Sequence, residues 1–157
     1  MEIDCLCNQS RFINKLVDEL WSKWSNDYIW ENKTIEDIRE FYSTTNISTF
    51  PICYILFEND VLYACLLVDS TDMQVRSDLC PWLGSVFTFP EHRKKGYAAQ
   101  LIKYTITKYP YIYLWCSSEE LVLYYKQFGF IVIDDNIIQY AGYERLTVMQ
   151  HITNTTS

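Results

Sequence analysis

Apolar positions along the first third of the chain recur at helical spacing. Phe12, Ile13, Leu16, Val17, Leu20, Trp21 and Trp24 trace one stripe, which predicts an amphipathic helix over Ser10–Lys23. Thr34, with Asp37 three residues on, reads as the capped start of a second helix carrying Ile35, Ile38, Phe41 and Tyr42. Two β-rich runs, Ile52–Phe57 and Val61–Val68, flank the turn-forming trio Glu58-Asn59-Asp60 and predict an antiparallel hairpin. Met1–Cys7 reads as a short first strand, and Ser70–Cys80 as a polar loop. A further apolar run, Trp82–Phe89, stops at Pro90. After a turn, Ala98, Leu101, Ile102, Thr105 and Ile106 fall on one helix face.

Beyond that helix, Tyr111–Cys116 alternates as a strand. Ser117-Ser118-Glu119-Glu120 matches a capping box with Ser117 as the cap, Leu121, Tyr124, Tyr125 and Phe128 continue the helix, and Gly129 is its expected left-handed stop. Ile131–Ile133 and Leu146–Met149 supply the last strands, divided by Asp134-Asp135-Asn136 and a loop through Gly142. The sum is an α/β (α+β) chain, a mixed and mostly antiparallel sheet of six to seven strands with helices on both faces. With no repeat, low-complexity tract or linker, residues 1–157 read as one domain.

Rings make up 17% of the residues, with 13 Tyr and 5 Trp, so the core is ring-rich. No run of about 20 apolar residues exists to span a membrane, and the start, MEIDCLCNQS, lacks the basic-then-apolar order of a signal peptide. A cytoplasmic protein with no membrane association is the expectation. Cys53, Cys65 and Cys116 sit in apolar strand-like runs, no C-x-x-C pair occurs, and the two histidines stand apart from any Cys cluster, which predicts free thiols and no metal site.

Charge changes the picture at one place. The net charge is −7, yet Glu91–Lys108 holds Arg93, Lys94, Lys95, Lys103 and Lys108 against Glu91 alone, a local +4 that leaves −11 for the remainder. A basic island in an acidic chain suits a compact anion; nucleic acid would require a longer basic stripe. The island sits where a strand meets a helix, and the first N–H groups of a helix lack intrahelical partners at the positive end of its dipole. Gly96 lets main chain approach a bulky diphosphate. Neither G-x-G-x-x-G nor G-x-x-x-x-G-K-[ST] is present.

The motif at this place is R-x-x-G-x-A, Arg93-Lys94-Lys95-Gly96-Tyr97-Ala98, directly after the strand and Pro90. It resembles the acetyl-CoA signature of the GNAT superfamily of N-acetyltransferases. A second block, Leu114–Phe130, resembles that superfamily's later signature, a strand and a helix ending in Tyr125-Lys126-Gln127-Phe128-Gly129-Phe130. The resemblance implies the GNAT fold and an acetyl-CoA-dependent transfer of acetyl to a primary amine, by direct attack in a ternary complex. The main chain of Val86, Phe87 and Thr88 would hold pantetheine, with the Val86 N–H on the acyl oxygen. Amides from Arg93 to Ala98 would take the diphosphate. Ser118, where many members carry Asn, would reach the pantetheine arm, and Tyr125 would protonate the departing thiolate.

Members that carry a Glu or His base on the first half of the central strand do so at positions matching Trp82 and Gly84, and neither takes a proton. Asp78 is the nominated base, with Asp69 and Asp72 in reserve. The missing strand base also supports an alternative, a GNAT-fold protein that binds CoA without turnover. The first two helices would line the acceptor side. The acidic remainder, with Asp18, Glu19, Asp27 and Glu31 near the first helix, points to a cationic small-molecule or peptide amine as acceptor, bound by a monomer or homodimer.

Overall fold

A computed structural model describes residues 1–153; residues 154–157 of the expected domain lie outside the described residues. The strands are β1 (Glu2–Cys5), β2 (Ile52–Glu58), β3 (Val61–Asp69), β4 (Trp82–Thr88), β5 (Tyr111–Cys116), β6 (Ile131–Tyr140) and β7 (Tyr143–Ile152). The helices are α1 (Ile13–Trp30), α2 (Ile35–Ser43), α3 (Tyr97–Ile106) and α4 (Glu119–Lys126). The strands form one sheet in the order β1-β2-β3-β4-β5-β7-β6. Every neighbouring pair is antiparallel except β4 and β5.

Strand alternation sends side chains to two cores. Leu66, Leu83, Ile112 and Leu114 face Leu101, Ile102 and Tyr125 of α3 and α4. Cys53, Ile55, Cys65 and Phe87 face Leu16, Val17, Leu20 and Ile38 of α1 and α2. A third cluster gathers Met73, Trp82, Tyr113, Leu146 and Val148, where the segment after β3 lies over β4, β5 and β7. Among the described residues no helix is long and apolar enough to cross a membrane.

Most predicted elements are present. Thr34 and Asp37 form the reciprocal capping box of α2, the Asp37 N–H donating to Thr34 Oγ1 at 3.2 Å and the Thr34 N–H to Asp37 Oδ2 at 2.8 Å. Gly129 ends the turn after α4 at φ 95°. Cys5, Cys53, Cys65 and Cys116 are buried free thiols, while Cys7 and Cys80 are free and exposed.

Three boundaries differ. The helix expected to end at Lys23 continues to Trp30 after a kink at Trp24 (φ −118°, ψ 22°), which swings its last two turns to a new direction. The cap of α4 is Ser118, whose hydroxyl accepts from the Leu121 N–H at 3.2 Å; Ser117 lies one residue too early. The segment Asp134-Asp135-Asn136 does not divide the last strands. It lies inside β6, where two irregularities of register against β7 absorb its turn-forming residues. Only Ala141 and Gly142 turn the chain, both at positive φ, the geometry a two-residue hairpin loop requires.

Candidate active site

Strands β4 and β5 run parallel but pair at one register position only, Trp82 opposite Tyr113, next to a bond from the Tyr113 N–H to the Pro81 carbonyl at 3.0 Å. Beyond that point β4 has no ladder on the side facing β5. On its other side β4 pairs with β3 through Gly84–Leu67 and Phe87–Cys65, so Ser85 and Val86 together oppose Leu66. This bulge is centred on Ser85 at φ 49°, a left-handed conformation rare for a non-glycine residue. A bulge bends its strand and re-aims the residues beyond it, so the sheet splits here because β4 turns away from β5.

A cavity of about 380 Å³ opens at the split. Leu83, Gly84, Ser85 and Val86 form one wall, Leu114 and Trp115 another, and Tyr125 with Leu121 of α4 close one side. The kinked end of α1 brings Trp24, Asp27, Tyr28 and Glu31 to the opposite side, and the β6–β7 turn adds Tyr143. Tyr143 Oη lies 3.4 and 3.5 Å from the two Asp27 carboxylate oxygens, which joins α1 to β7 across the cavity.

Tyr125 is buried, edge-on to the rings of Tyr124 and Phe130 at 5.2 and 5.7 Å, and its hydroxyl has no hydrogen bond to a described residue. Burial, with smaller effects from Cys116 and Tyr124, raises its pKa well above that of a free phenol. The hydroxyl therefore keeps its proton at neutral pH.

At the far end of β4 the turn into α3 is exposed. Lys94 (φ 65°) and Gly96 (φ 78°) are both left-handed, and the N–H groups of Lys94, Lys95, Gly96, Tyr97 and Ala98 have no hydrogen-bond partner among the described residues. Such a run of free amides makes an anion-binding concavity. Arg93 is exposed, with its side chain bent back over β4. Its Nε donates to the Thr88 carbonyl at 3.1 Å and its guanidinium lies 5.7 Å from the Phe87 ring, so it staples the turn to β4. Tyr97 packs on Tyr63, ring centroids 4.7 Å apart.

The predicted residues thus fall into separate places. Val86 and Tyr125 share the cavity, Phe87 and Thr88 continue β4, the Arg93–Ala98 turn lies beyond, and Ser118 caps α4. Asp78 is the exception. Its two oxygens accept from Arg76 Nε at 3.0 Å and Nη2 at 2.9 Å, an arrangement that lowers its pKa, and it does not line the cavity. A carboxylate locked onto a guanidinium is a poor proton acceptor, and this one faces elsewhere. Asp69 is engaged with the Ser70 N–H at 2.7 Å. Asp72 alone of the three carboxylates lines the cavity.

Asp72 is reached by solvent from the cavity, yet its carboxylate is crowded on the protein side. Trp115 Nε1 donates to Oδ2 at 2.9 Å, and a side chain at Gly84 would begin 3.3 Å from the same oxygen. Desolvation raises its pKa to about 7. The Trp115 bond opposes that shift, and the charges of Asp69 and Glu31 reinforce it. Sequence reasoning missed Trp115 and Tyr143 as cavity residues; for Trp115 the signal was strand alternation that sets it opposite the α3 and α4 face, while Tyr143 fell in an expected loop and had none.

The site joins a sheet split at a bulge, a tyrosine at that split and an open amide turn before the following helix, in a chain of the acetyltransferase class. The chain belongs to the GNAT acetyltransferase family: the acetyltransferase (GNAT) domain model matches residues 15–133. No curated protein matches the chain. Among solved structures it is similar in fold to spermidine N-acetyltransferase from Vibrio cholerae in complex with CoA and spermine, at TM-score 0.71 and 15% identity, covering 96% of this chain and 94% of that one. An aminoglycoside 6'-acetyltransferase type Ii superposes at TM-score 0.71 and 15% identity, with 97% of each chain covered. An N-acetyltransferase from Staphylococcus aureus Mu50 gives 0.68 and 14%, covering 97% and 99%.

Proposed function

We propose that this GNAT-family acetyltransferase moves the acetyl group of acetyl-CoA to the primary amine of a compact cationic acceptor, by direct attack in a ternary complex. The observation that carries the reading is the unpaired edge of β4. It leads from the cavity wall at Val86 to the free amides before α3, so an extended pantetheine arm can pair with it as an added strand would. The Lys94–Ala98 amides would hold the diphosphate. The Val86 N–H would face the developing oxyanion, where a fixed donor counts most. Tyr125, protonated and open to the cavity, would donate to the CoA thiolate.

The acceptor side is acidic and aromatic. Asp27, Glu31 and Asp72 stand among the rings of Trp24, Tyr28 and Trp115. Rings attract cations through their faces, and carboxylates within a few ångströms add charge attraction. Two of the proteins similar in fold are named for spermidine and for an aminoglycoside, both amines of this cationic kind.

The test is thiol release from acetyl-CoA over spermidine, an aminoglycoside, a lysine-bearing peptide and neutral or anionic amines, beside calorimetric titration of acetyl-CoA. Turnover with cationic amines alone is the expected result. The second reading, a CoA-binding protein without turnover, is favoured by one observation, that Trp82 and Gly84 supply no base on β4; Trp82 Nε1 is engaged with the Leu79 carbonyl at 2.8 Å. Tight acetyl-CoA binding with no thiol release for any amine would establish that reading instead.

A further inference from the structure

We infer that Asp72 is the general base of the reaction, delivered from the segment after β3 into the space that Gly84 leaves open on β4. The inference rests on the transferase reading and names the group that reading lacks.

The placement comes first. The Asp72 carboxylate packs closely on Gly84 of β4: a Cβ there would stand 3.3 Å from Oδ2, so any larger residue would press on it. Trp115 Nε1 fixes the carboxylate from β5, across the split, with a 2.9 Å bond to that oxygen. Oδ1 has no partner among the described residues and is free to accept a proton. Asp72 and Tyr125 line the same cavity, so acid and base flank the place where acyl group and amine would meet.

The segment itself is anchored. Met73 is fully buried in the cluster with Trp82 and Tyr113, and the Gln74 N–H donates to Tyr140 Oη at 3.1 Å. Arg76 ties the segment to β6 through Asp134 at 2.7 Å. A rigid mount of this kind suits a catalytic carboxylate.

The charged and titratable groups near Asp72 come from each surrounding element. Asp69 ends β3, Lys23, Asp27, Tyr28 and Glu31 belong to α1 and the residue that closes it, Lys33 lies just beyond, Tyr143 begins β7 and Tyr125 lies on α4. Acidic neighbours and crowding hold the pKa to about 7. A base raised toward neutrality can be ionised at neutral pH and still accept a proton.

Protons and electron pairs balance through the step. Asp72 takes a proton from R–NH3⁺, leaving the neutral amine and a carboxylic acid. The nitrogen lone pair forms the C–N bond to the acetyl carbon as the carbonyl pair moves onto oxygen. Re-forming C=O breaks the C–S bond, the pair leaves on sulfur, and the sulfur takes the Tyr125 proton. The extra proton on nitrogen replaces the one Tyr125 gave, and Asp72 returns its own to water. Acetyl-CoA and R–NH3⁺ become the amide, CoA and a proton.

The experiment is the pH dependence of kcat/KM, with the fastest amine of the panel above, for the wild type, Asp72→Asn and Trp115→Phe. The wild type is expected to rise through an inflection near pH 7. Asp72→Asn should lose about 100-fold in kcat/KM at pH 7, lose the inflection, and keep its acetyl-CoA affinity. Trp115→Phe removes the donor that holds the pKa down, so its inflection should move to higher pH while the rate above it stays within about threefold. The fold should survive Asp72→Asn. A carboxyl whose pKa rises on folding binds more protons folded than unfolded, so it costs stability at neutral pH and its removal does not. An NMR titration gives a readout without turnover: the Trp115 indole N–H resonance should shift near pH 7 in the wild type and stay flat in Asp72→Asn. An unchanged inflection and rate in Asp72→Asn overturns the assignment of the base alone, whereas no turnover by the wild type with any amine overturns the transferase reading itself.

Discussion

Gly96 allows the demands of the backbone to be separated from those of the ligand. It sits at φ 78° and ψ 18°, and no atom lies within 4 Å of where a Cβ would be. A substitution there meets no packing, so its whole cost to folding is the left-handed backbone, about 1–2 kcal/mol for Ala and less for Asn. For a domain of this size each kcal/mol is worth roughly 2–4 °C, so Gly96→Ala should lower Tm by about 2–8 °C and Gly96→Asn by less. Ligand binding ranks the variants differently. The empty space is the side from which a diphosphate would approach the free amides, and a carboxylate about 4 Å from one phosphate charge is repelled by about 1 kcal/mol in water and about 4 at an effective dielectric of 20. Gly96→Glu should therefore weaken acetyl-CoA binding at least about fivefold, measured by calorimetry, and high salt should restore part of the loss. If Gly96→Glu binds acetyl-CoA as tightly as the wild type does, the amides of residues 94–98 are not its anchor.

Three further substitutions probe the acid, a helix cap and an ion pair. Tyr125→Phe should reduce kcat by about 100-fold through loss of the proton donor and leave Tm unchanged, because its hydroxyl bonds to no described residue; an unaltered kcat in thiol release means the thiolate is protonated from elsewhere. Ser118→Ala should cost about 1 kcal/mol through loss of the α4 cap, while Ser117→Ala should cost little; a thermal-melt comparison that reverses the two would return the cap to Ser117. Arg76 holds the pKa of Asp78 down directly, and that of Asp134 together with the Asn136 N–H. Their contribution to stability is present above the unfolded carboxylate value near 4 and is lost as pH falls through the lower folded values. Arg76→Ala should be less stable than the wild type at pH 7, with the gap closing below about pH 3 in a denaturation series; a gap constant with pH would show that the pair does not couple to folding.

The parts of the fold that were legible are those where one pattern had one physical outcome. The α1 stripe of Leu16, Val17 and Leu20 is buried, and Thr34 with Asp37 caps α2 because their side chains satisfy each other's backbone donors. The misreadings have identifiable reasons. β6 is an edge strand exposing Ile131, Val132, Ile133 and Ile138, so no buried face imposed a period of two on it. Asp134, Asp135 and Asn136 kept their turn character as register irregularities, and the pairing with β7, aided by Arg145 Nε donating to the Asp135 carbonyl at 2.8 Å, held the strand together. The end of α1 was missed because the helix kinks at Trp24 and past it only Tyr28 continues the stripe, stacked on Trp21, among the polar residues Ser25, Asn26 and Asp27.

The site divides along a similar line. The Arg93–Ala98 turn and Tyr125 each depend on short spacings within a strand-turn-helix unit, so a linear reading can nominate them. A base supplied from a loop has no spacing to read. Asp69, Asp72 and Asp78 are equivalent as letters in a polar segment, and their difference arises only when Met73 is buried against Trp82 and Tyr113, which sets Asp72 beside Trp115 at the cavity and leaves Asp78 on Arg76. The legible clue was the glycine itself. Gly84 has an ordinary φ, so no backbone demand selects it. A strand position facing the acceptor side that needs no glycine and carries one is better explained by a neighbour that requires the room. A Cβ at 84 would press on the carboxylate that Trp115 holds, at 3.3 Å from Oδ2. On this reasoning the small residue at 84 lets Asp72 keep its place beside Trp115.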